Sequence, residues 1–167
     1  MHLDKEHFFN SRKGKPAVLG VEFGGYMLRN YYELRTKKYL ENPPIVGVAD
    51  MGCYAEVVKA NNFDLMIPPA NMSLEKATSL PHAWWVAHQM TEKIPDLPMM
   101  KYALVHVAGS STSLALIQFL KLKGLKVIAT STSDEKLLQA KLNGAHRVLN
   151  IHRQPKFSKP ISYMIGD

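Results

Sequence analysis

The sequence contains a single cysteine, Cys53, among its 167 residues, so it cannot form an internal disulfide or a cysteine-rich metal site by itself. No apolar run approaches the roughly 18 residues of a membrane-spanning helix, and residues 1–6 carry acids without leading into an apolar leader. The ten glycines and ten prolines follow no period, which excludes collagen-like and low-complexity designs. We therefore expect a globular cytoplasmic protein with no membrane partner.

Acidic residues are scarce in the last third of the chain. Residues 101–167 carry ten lysines and arginines against three acids, whereas residues 1–100 carry 11 of each sign. The basic region lacks the interleaved aromatic residues that favour single-strand binding, so we predict no nucleic-acid partner. Three of its lysines surround a predicted helix end, where cations complement the helix dipole: Lys121, Lys123 and Lys126. We expect a solvated cationic face, of which one or two charges serve a phosphorylated cofactor.

Short strands are predicted for the first half of the chain. Residues 1–40 hold no regular period and are predicted to be mixed, with a short strand and a close backbone approach or bulge between Gly20 and Gly25. Ser73 offers a helix N-cap, and Pro81 interrupts the helix before a second one at residues 83–90. The remaining predicted strands are residues 45–48, 53–58 and 65–67.

The pattern changes after the proline-containing linker at residues 94–98. Buried strands alternate from there with amphipathic helices, and Gly124 and Gly144 end the two helices. This βαβαβ order predicts one half of a doubly wound parallel sheet, with the three strands adjacent in sequence order. The predicted strands are residues 102–108, 126–130 and 147–151, and the helices are residues 114–123 and 134–142.

Several strings, taken in order and spacing, resemble the medium-chain dehydrogenase/reductase superfamily, in its zinc-independent quinone oxidoreductase and enoyl reductase branch. The resemblance covers roughly residues 15–155. The strings are residues 19–25, 52–56, 67–69 with 73–77, 80–85, 127–130 with 133–136, and 143–150.

This resemblance implies an α/β fold with a partial GroES-like substrate domain at residues 1–93 and a partial Rossmann NADP-binding domain at residues 94–167. It implies an NADPH-dependent, zinc-free reductase of quinones, enones or enoyl thioesters that acts on a small-molecule acceptor. Only one mononucleotide half is present, so we interpret the chain as a fragment, an incomplete product or a diverged member. Its open sheet edge predicts that it dimerises, aggregates or folds poorly alone.

The family's glycine-rich turn aligns with a stretch in which serine replaces two glycines. Ser110 stands at the position of close approach to pyrophosphate, and Ser113 stands where the helix packs on the strand. These serines either weaken binding sterically or donate hydroxyls to a phosphate. The candidate cofactor-binding residues of this turn are Ala108, Gly109, Ser110, Ser111, Thr112 and Ser113.

Two residues after the second strand of the sheet resemble the family's contacts to the 2′-phosphate of NADPH. Lys136 matches the family lysine, and Ser131 adds a hydroxyl beside it. The segment offers no acid for a ribose 2′-hydroxyl, so NADPH is the expected cofactor rather than NADH. The alternative for Lys136 is an ordinary exposed position in the first turn of a helix.

No catalytic residue can be assigned, and no metal is expected. Val86 replaces a family threonine on the nicotinamide side, and Val21 replaces the histidine of zinc-containing relatives. Trp84 and Trp85 are interpreted as packing residues, and Cys53 as a small buried hydrophobe. The second functional hypothesis is a non-catalytic remnant that binds a partner or itself.

Overall fold

The computed structural model describes residues 18–29, 31–33 and 37–166. These residues divide into two compact units, the first ending at His82 and the second starting at Ala83. Within the described ranges, no helix is long and apolar enough to cross a membrane. The predictions for residues 1–17 lie outside the described part of the chain.

The first unit is built on a small antiparallel sheet in the order β1-β4-β5, accompanied by a separate β2–β3 hairpin and a short helix, α1. The Ser73 side chain caps α1 as predicted, accepting a hydrogen bond from the Lys76 N–H. The elements are β1 (Glu22–Tyr26), β2 (Tyr31–Glu33), β3 (Lys38–Leu40), β4 (Pro44–Val48), β5 (Leu65–Met66) and α1 (Leu74–Thr78).

Gly24 allows α1 to pack closely on the sheet. A Cβ atom added to Gly24 would overlap the Thr78 hydroxyl and lie 3.0 Å from the Thr78 Cβ. The same addition at Gly25, the next residue of β1, would meet nothing within 4 Å. The close approach predicted around these glycines is therefore present, and its partner is α1.

The strand predicted at residues 53–58 is absent. The Cys53 and Tyr54 N–H groups donate to the Gly20 and Leu19 carbonyls, but the pairing stops there. Tyr54 and Val57 are exposed, so this apolar run has no sheet neighbour to pack against. The alternation of residue types is typical of a strand, but no neighbouring strand pairs with residues 53–58 in the described part of the chain.

The second unit contains the predicted parallel sheet. Strand β7 pairs with β6 on one side and with β8 on the other, both in parallel, which confirms the predicted order. Helix α5 was not predicted. The elements are α2 (Pro81–Glu92), whose first two residues belong to the first unit, β6 (Tyr102–Val105), α3 (Ser111–Leu122), β7 (Lys126–Ser131), α4 (Asp134–Leu142), β8 (Arg147–Asn150) and α5 (Ser158–Ile165).

The core of this unit lies between the sheet and helices α3 and α4. Ile117, Val127, Ala129 and Ala140 are at most 1% exposed there, so each helix buries one apolar face on the strands. Helix α3 begins at Ser111 rather than at the predicted residue 114, because Ser110 acts as its N-cap. Strand β6 ends at Val105 rather than at the predicted residue 108, because the backbone turns at Val107.

Candidate functional site

The predicted cofactor turn lies at the carboxyl edge of the parallel sheet, between β6 and α3. The Ala108 N–H donates to the Thr130 carbonyl at 2.8 Å, which ties the turn to β7. Two residues have left-handed backbones, Val107 with φ of 54° and Gly109 with φ of 102°. Glycine suits such a conformation, whereas a β-branched valine is strained in it.

Ser110 and Ser113 are hydrogen-bonded to each other. The Ser110 hydroxyl accepts from the Ser113 N–H at 3.1 Å, and Ser113 Oγ accepts from the Ser110 N–H at 3.1 Å, forming a capping box. The two hydroxyl oxygens are 2.9 Å apart, and Ser113 Oγ also lies 3.1 Å from the Val107 carbonyl. The N–H at the position of close approach is therefore already used.

The first turn of α3 still offers anion-binding groups. Ser111 and Thr112 are its first two residues, and their N–H groups have no partner within the helix. The positive end of the helix dipole adds to them. Helix N-termini can bind anions, and this one has fewer free donors than a turn in which the Ser110 N–H is unoccupied.

The structure brings Lys136 to the turn. A Cβ atom added to Gly109 would lie 2.6 Å from both Cβ and Cγ of Lys136, so the lysine stem packs on the glycine. Lys136 is exposed and has no acidic partner among the described residues. Two separately predicted parts of the site, the turn and the lysine after β7, thus lie in contact.

Ser131 occupies a more restricted position than Lys136. Ser131 is 5% exposed, and its hydroxyl accepts a hydrogen bond from the Ser133 N–H at 3.3 Å. Ser133 in turn caps α4 through the Lys136 N–H. The Ser131 side chain therefore stabilises the start of α4, and its hydroxyl is buried beneath that turn.

His106 was missed by the sequence reasoning. Its Nδ1 lies 2.8 Å from Oγ1 of Thr130, which is fully buried, and Phe157 packs edge-on against the ring. The imidazole is exposed at the carboxyl edge, one residue before the strained Val107. The available signal was a histidine inside the otherwise apolar run at residues 102–108.

Helix α2 supplies packing groups. Trp84 contacts Phe119 edge-on with ring centroids 5.1 Å apart, as expected for a packing residue. Trp85 is 61% exposed, so the same interpretation was wrong for it. Val86 is half-buried and contributes no hydrogen-bonding group.

The residues at the zinc-equivalent position have a structural role. The Glu22 carboxylate accepts a hydrogen bond from the His82 N–H at 2.8 Å, at the start of α2. No group of three potential metal ligands occurs within the described part of the chain.

Burial, and secondarily the charge of Glu22, raises the pKa of the Cys53 thiol, which disfavours a thiolate. Cys53 is half-buried, so it is more accessible than predicted.

Comparison with known proteins yields several relatives, although no protein-family model matches the chain. Quinone oxidoreductase-like protein 2 of Bos taurus is 29% identical over 146 residues, which cover 87% of this chain and 41% of that protein. The highly reducing polyketide synthase ZEA2 of Gibberella zeae is 29% identical over 152 residues, which cover 89% of this chain and 6% of that protein. The chain thus spans less than half the length of these relatives.

Solved structures show the same fold. An NAD-dependent alcohol dehydrogenase matches with a TM-score of 0.75 and 27% identity, over 90% of this chain and 51% of that chain. The quinone oxidoreductase of Escherichia coli complexed with NADPH matches with a TM-score of 0.71 and 23% identity, over 90% and 46% of the two chains.

The antiparallel β1-β4-β5 sheet followed by the parallel β6-β7-β8 sheet matches part of a GroES-like β domain and the first βαβαβ half of a Rossmann domain, the fold of the medium-chain dehydrogenases and reductases. The relatives of this chain include quinone oxidoreductase-like proteins and a zinc-type alcohol dehydrogenase-like protein, which confirms the predicted resemblance to this superfamily.

Proposed function

We propose that this chain carries part of an NADPH-dependent, zinc-free oxidoreductase that reduces quinones, enones or enoyl thioesters. The observation that supports this most is the contact between the Gly109 turn and Lys136 at the carboxyl edge of the sheet. Ligands of open α/β sheets bind at that edge. The quinone oxidoreductase-like relatives and the NADPH complex with the same fold support the same cofactor and reaction class.

The residues present divide the binding of NADPH between two groups. The N–H groups of Ser111 and Thr112, with the dipole of α3, would hold the pyrophosphate. The Lys136 ammonium would hold the 2′-phosphate as a point charge. Strand β7 itself ends without an acid, whereas Asp134 and Glu135 precede Lys136 in the first turn of α4. The bound nicotinamide supplies the hydride chemistry, and the protein supplies binding and orientation.

We further propose that nucleotide binding by this chain is weakened. The Ser113 hydroxyl holds the Ser110 N–H, so one donor of the turn is lost unless the capping box opens. The described residues also contain one βαβαβ half, whereas a complete dinucleotide crevice is built from two.

One titration series with NADPH tests this proposal. Ser113→Ala removes the hydroxyl that occupies the Ser110 N–H while keeping a small side chain, and Ser110→Gly with Ser113→Gly restores the family pattern. Each should tighten NADPH binding, the double variant by about 1 to 3 kcal/mol, because freed N–H groups can bind phosphate. Calorimetry measures the change.

Lys136→Ala provides the specificity arm of the same series. It should weaken binding of NADPH relative to NADH, because only NADPH carries the 2′-phosphate. Lys159→Ala, an equal loss of charge in helix α5, is the matched control. If neither serine variant nor wild type binds either nucleotide, the proposed NADPH site of this chain is wrong.

The second candidate function is a non-catalytic module that binds a partner or itself. Two observations favour it: the serines satisfy each other within the turn, and β6 pairs on one side only among the described strands. A closed turn and an open sheet edge fit association better than catalysis. The NADPH titration separates the two functions.

A further inference from the structure

Cations lie at both edges of the parallel sheet, and those at the carboxyl edge include Lys136 and Arg153, which pairs with Asp134. In the described residues 101–166, the acids are Asp134 and Glu135, both in the first turn of α4 at the carboxyl edge. Exposed cations lie at the other edge, where the strands begin and helices α3 and α4 end. We name five of them the amino-edge cluster: Lys101, Lys121, Lys126, Lys141 and Arg147.

Three contacts show which members of the amino-edge cluster are neighbours. The Lys126 N–H donates to the Lys101 carbonyl at 2.9 Å, so these residues are neighbours at the start of β6 and β7. The Lys141 ammonium donates to the His146 carbonyl at 2.7 Å. A Cβ atom added to Gly144 would lie 3.3 Å from Nζ of Lys121. Two ammonium groups therefore lie over the turn between α4 and β8.

His146 reports how closely these charges converge. Desolvation lowers the pKa of its imidazole first, and the charges of Arg147, Lys126 and Lys141 lower it further. No acid forms an ion pair with any member of the cluster within the described residues. Three positive charges thus act on one exposed ring without a neutralising group.

Helix ends explain only part of the cluster. Lys121 and Lys141 lie in the last turns of α3 and α4, where cations stabilise the helix dipole. Lys101, Lys126 and Arg147 lie at the starts of strands, which have small net dipoles. Lys126 also packs over the Tyr102 ring, with its Nζ 5.7 Å from the ring centroid. The helix dipoles and the Tyr102 ring therefore account for only part of the positive charge, and no acid among the described residues pairs with the rest.

We propose that the amino-edge cluster binds a small ligand that carries adjacent phosphate groups. Lys121 and Lys141 lie over a single turn, and the charges of Lys126 and Arg147 act on His146 in it, which fits a compact polyanion. A nucleic-acid backbone instead needs a continuous basic stripe. Lysine and arginine donors are well suited to phosphate oxygens. This site lies at the opposite edge of the sheet from the proposed NADPH site, and neither proposal depends on the other.

The test is a calorimetric titration of the full chain with inorganic tripolyphosphate. Lys126→Ala combined with Arg147→Ala should weaken binding by at least about tenfold, because two charge-assisted contacts are lost. Lys156→Ala with Lys159→Ala removes the same charge outside the cluster and should change the affinity by less than about twofold. Equal losses in both double variants would overturn the proposal, since binding would then follow net charge alone.

A second measurement does not depend on substitution. Tripolyphosphate should raise the pKa of the His146 imidazole, followed by NMR, because a bound anion offsets the neighbouring cations. An unchanged titration of His146 at saturating tripolyphosphate would contradict a site at this edge. Loss of tripolyphosphate binding in Lys136→Ala would also contradict a site at the amino edge, because it would place the ligand at the carboxyl edge.

Two further probes test the size and source of the ligand. A 20-nucleotide single strand should bind more weakly than tripolyphosphate at equal salt; tighter binding would overturn the compact-ligand proposal in favour of nucleic acid. Vesicles of phosphatidylcholine with phosphatidylinositol bisphosphate separate a lipid headgroup from a free ligand. Binding to the vesicles but not to free tripolyphosphate would overturn the proposal of a small soluble ligand.

Discussion

Val107 has a backbone conformation that its side chain disfavours. Its φ is 54°, and the valine side chain is 70% exposed, so little packing compensates for the strain. We predict that Val107→Gly raises the free energy of unfolding of this chain by about 1 kcal/mol, because relief of strain exceeds the entropy added to the unfolded chain. Urea unfolding at equilibrium measures the change.

Thr132→Gly is the matched control for this prediction. Thr132 is also exposed and β-branched but has no positive φ. Glycine there should lower the stability, since only the unfolded chain gains freedom. Destabilisation by Val107→Gly of the same size as by Thr132→Gly would show that the turn stores no strain.

The stability of the second unit should depend on the protonation of His146. Desolvation, with Arg147, Lys126 and Lys141, lowers its pKa in the folded state, so the unfolded state takes up the proton first as the pH falls. Stability is therefore lost from about pH 6.5 downwards, until the folded imidazole is also protonated. His146→Gln should make the urea midpoint depend less on pH in this window.

Lys126→Met provides an independent arm of the pH experiment. It removes one repelling charge and leaves the imidazole in place, so the pH dependence should shrink without vanishing. A wild-type chain that becomes more stable as the pH falls through this window would contradict the assigned sign.

Helix α1 and strand β1 can pack closely only because residue 24 is glycine. We predict that Gly24→Ala destabilises the first unit by about 1 to 3 kcal/mol, because the new methyl group would overlap the Thr78 side chain. The Thr78 hydroxyl cannot move freely, as it donates to the Leu74 carbonyl at 2.7 Å. Thermal unfolding followed by circular dichroism measures the loss.

Gly25→Ala separates crowding from backbone effects. It lies in the same strand with open space around its Cα, so alanine there should be tolerated or slightly stabilising. Similar losses for both alanine variants would show that packing against α1 is not the cause.

Local signals predicted elements correctly where they agreed with the tertiary structure. The serine cap at Ser73 and the glycine stop at Gly124 lie where the sequence indicated, because each acts within a few residues. The strand predicted at residues 53–58 failed because a strand requires a neighbour. The capping box of Ser110 and Ser113 was also missed, since the family comparison treated both serines only as replaced glycines.

The parallel sheet gives the second unit two chemically different edges. The carboxyl edge carries the Gly109 turn, Lys136 and His106, whereas the amino edge carries the unneutralised cations. The sequence predicted the first edge through the order of strands and helices. It showed the excess of positive charge but not where the charge gathers, because that depends on which ends of α3, α4 and the strands meet.

The outer edge of β6 is the place where the chain is expected to associate with another copy. Among the described strands, β6 pairs with β7 alone, and Leu104 on β6 is 42% exposed. An unpaired strand edge with an exposed apolar side chain is a template for intermolecular pairing. We predict that the chain sediments as a dimer or larger species and that Leu104→Lys shifts it towards monomer, because a charged edge opposes pairing. Leu138→Lys, at an exposed position on α4, is the control and should leave the distribution unchanged. A wild-type chain that remains monomeric at about 100 μM, above the dissociation constant of ordinary weak dimers, would remove the main argument for the association function and favour the NADPH-binding alternative.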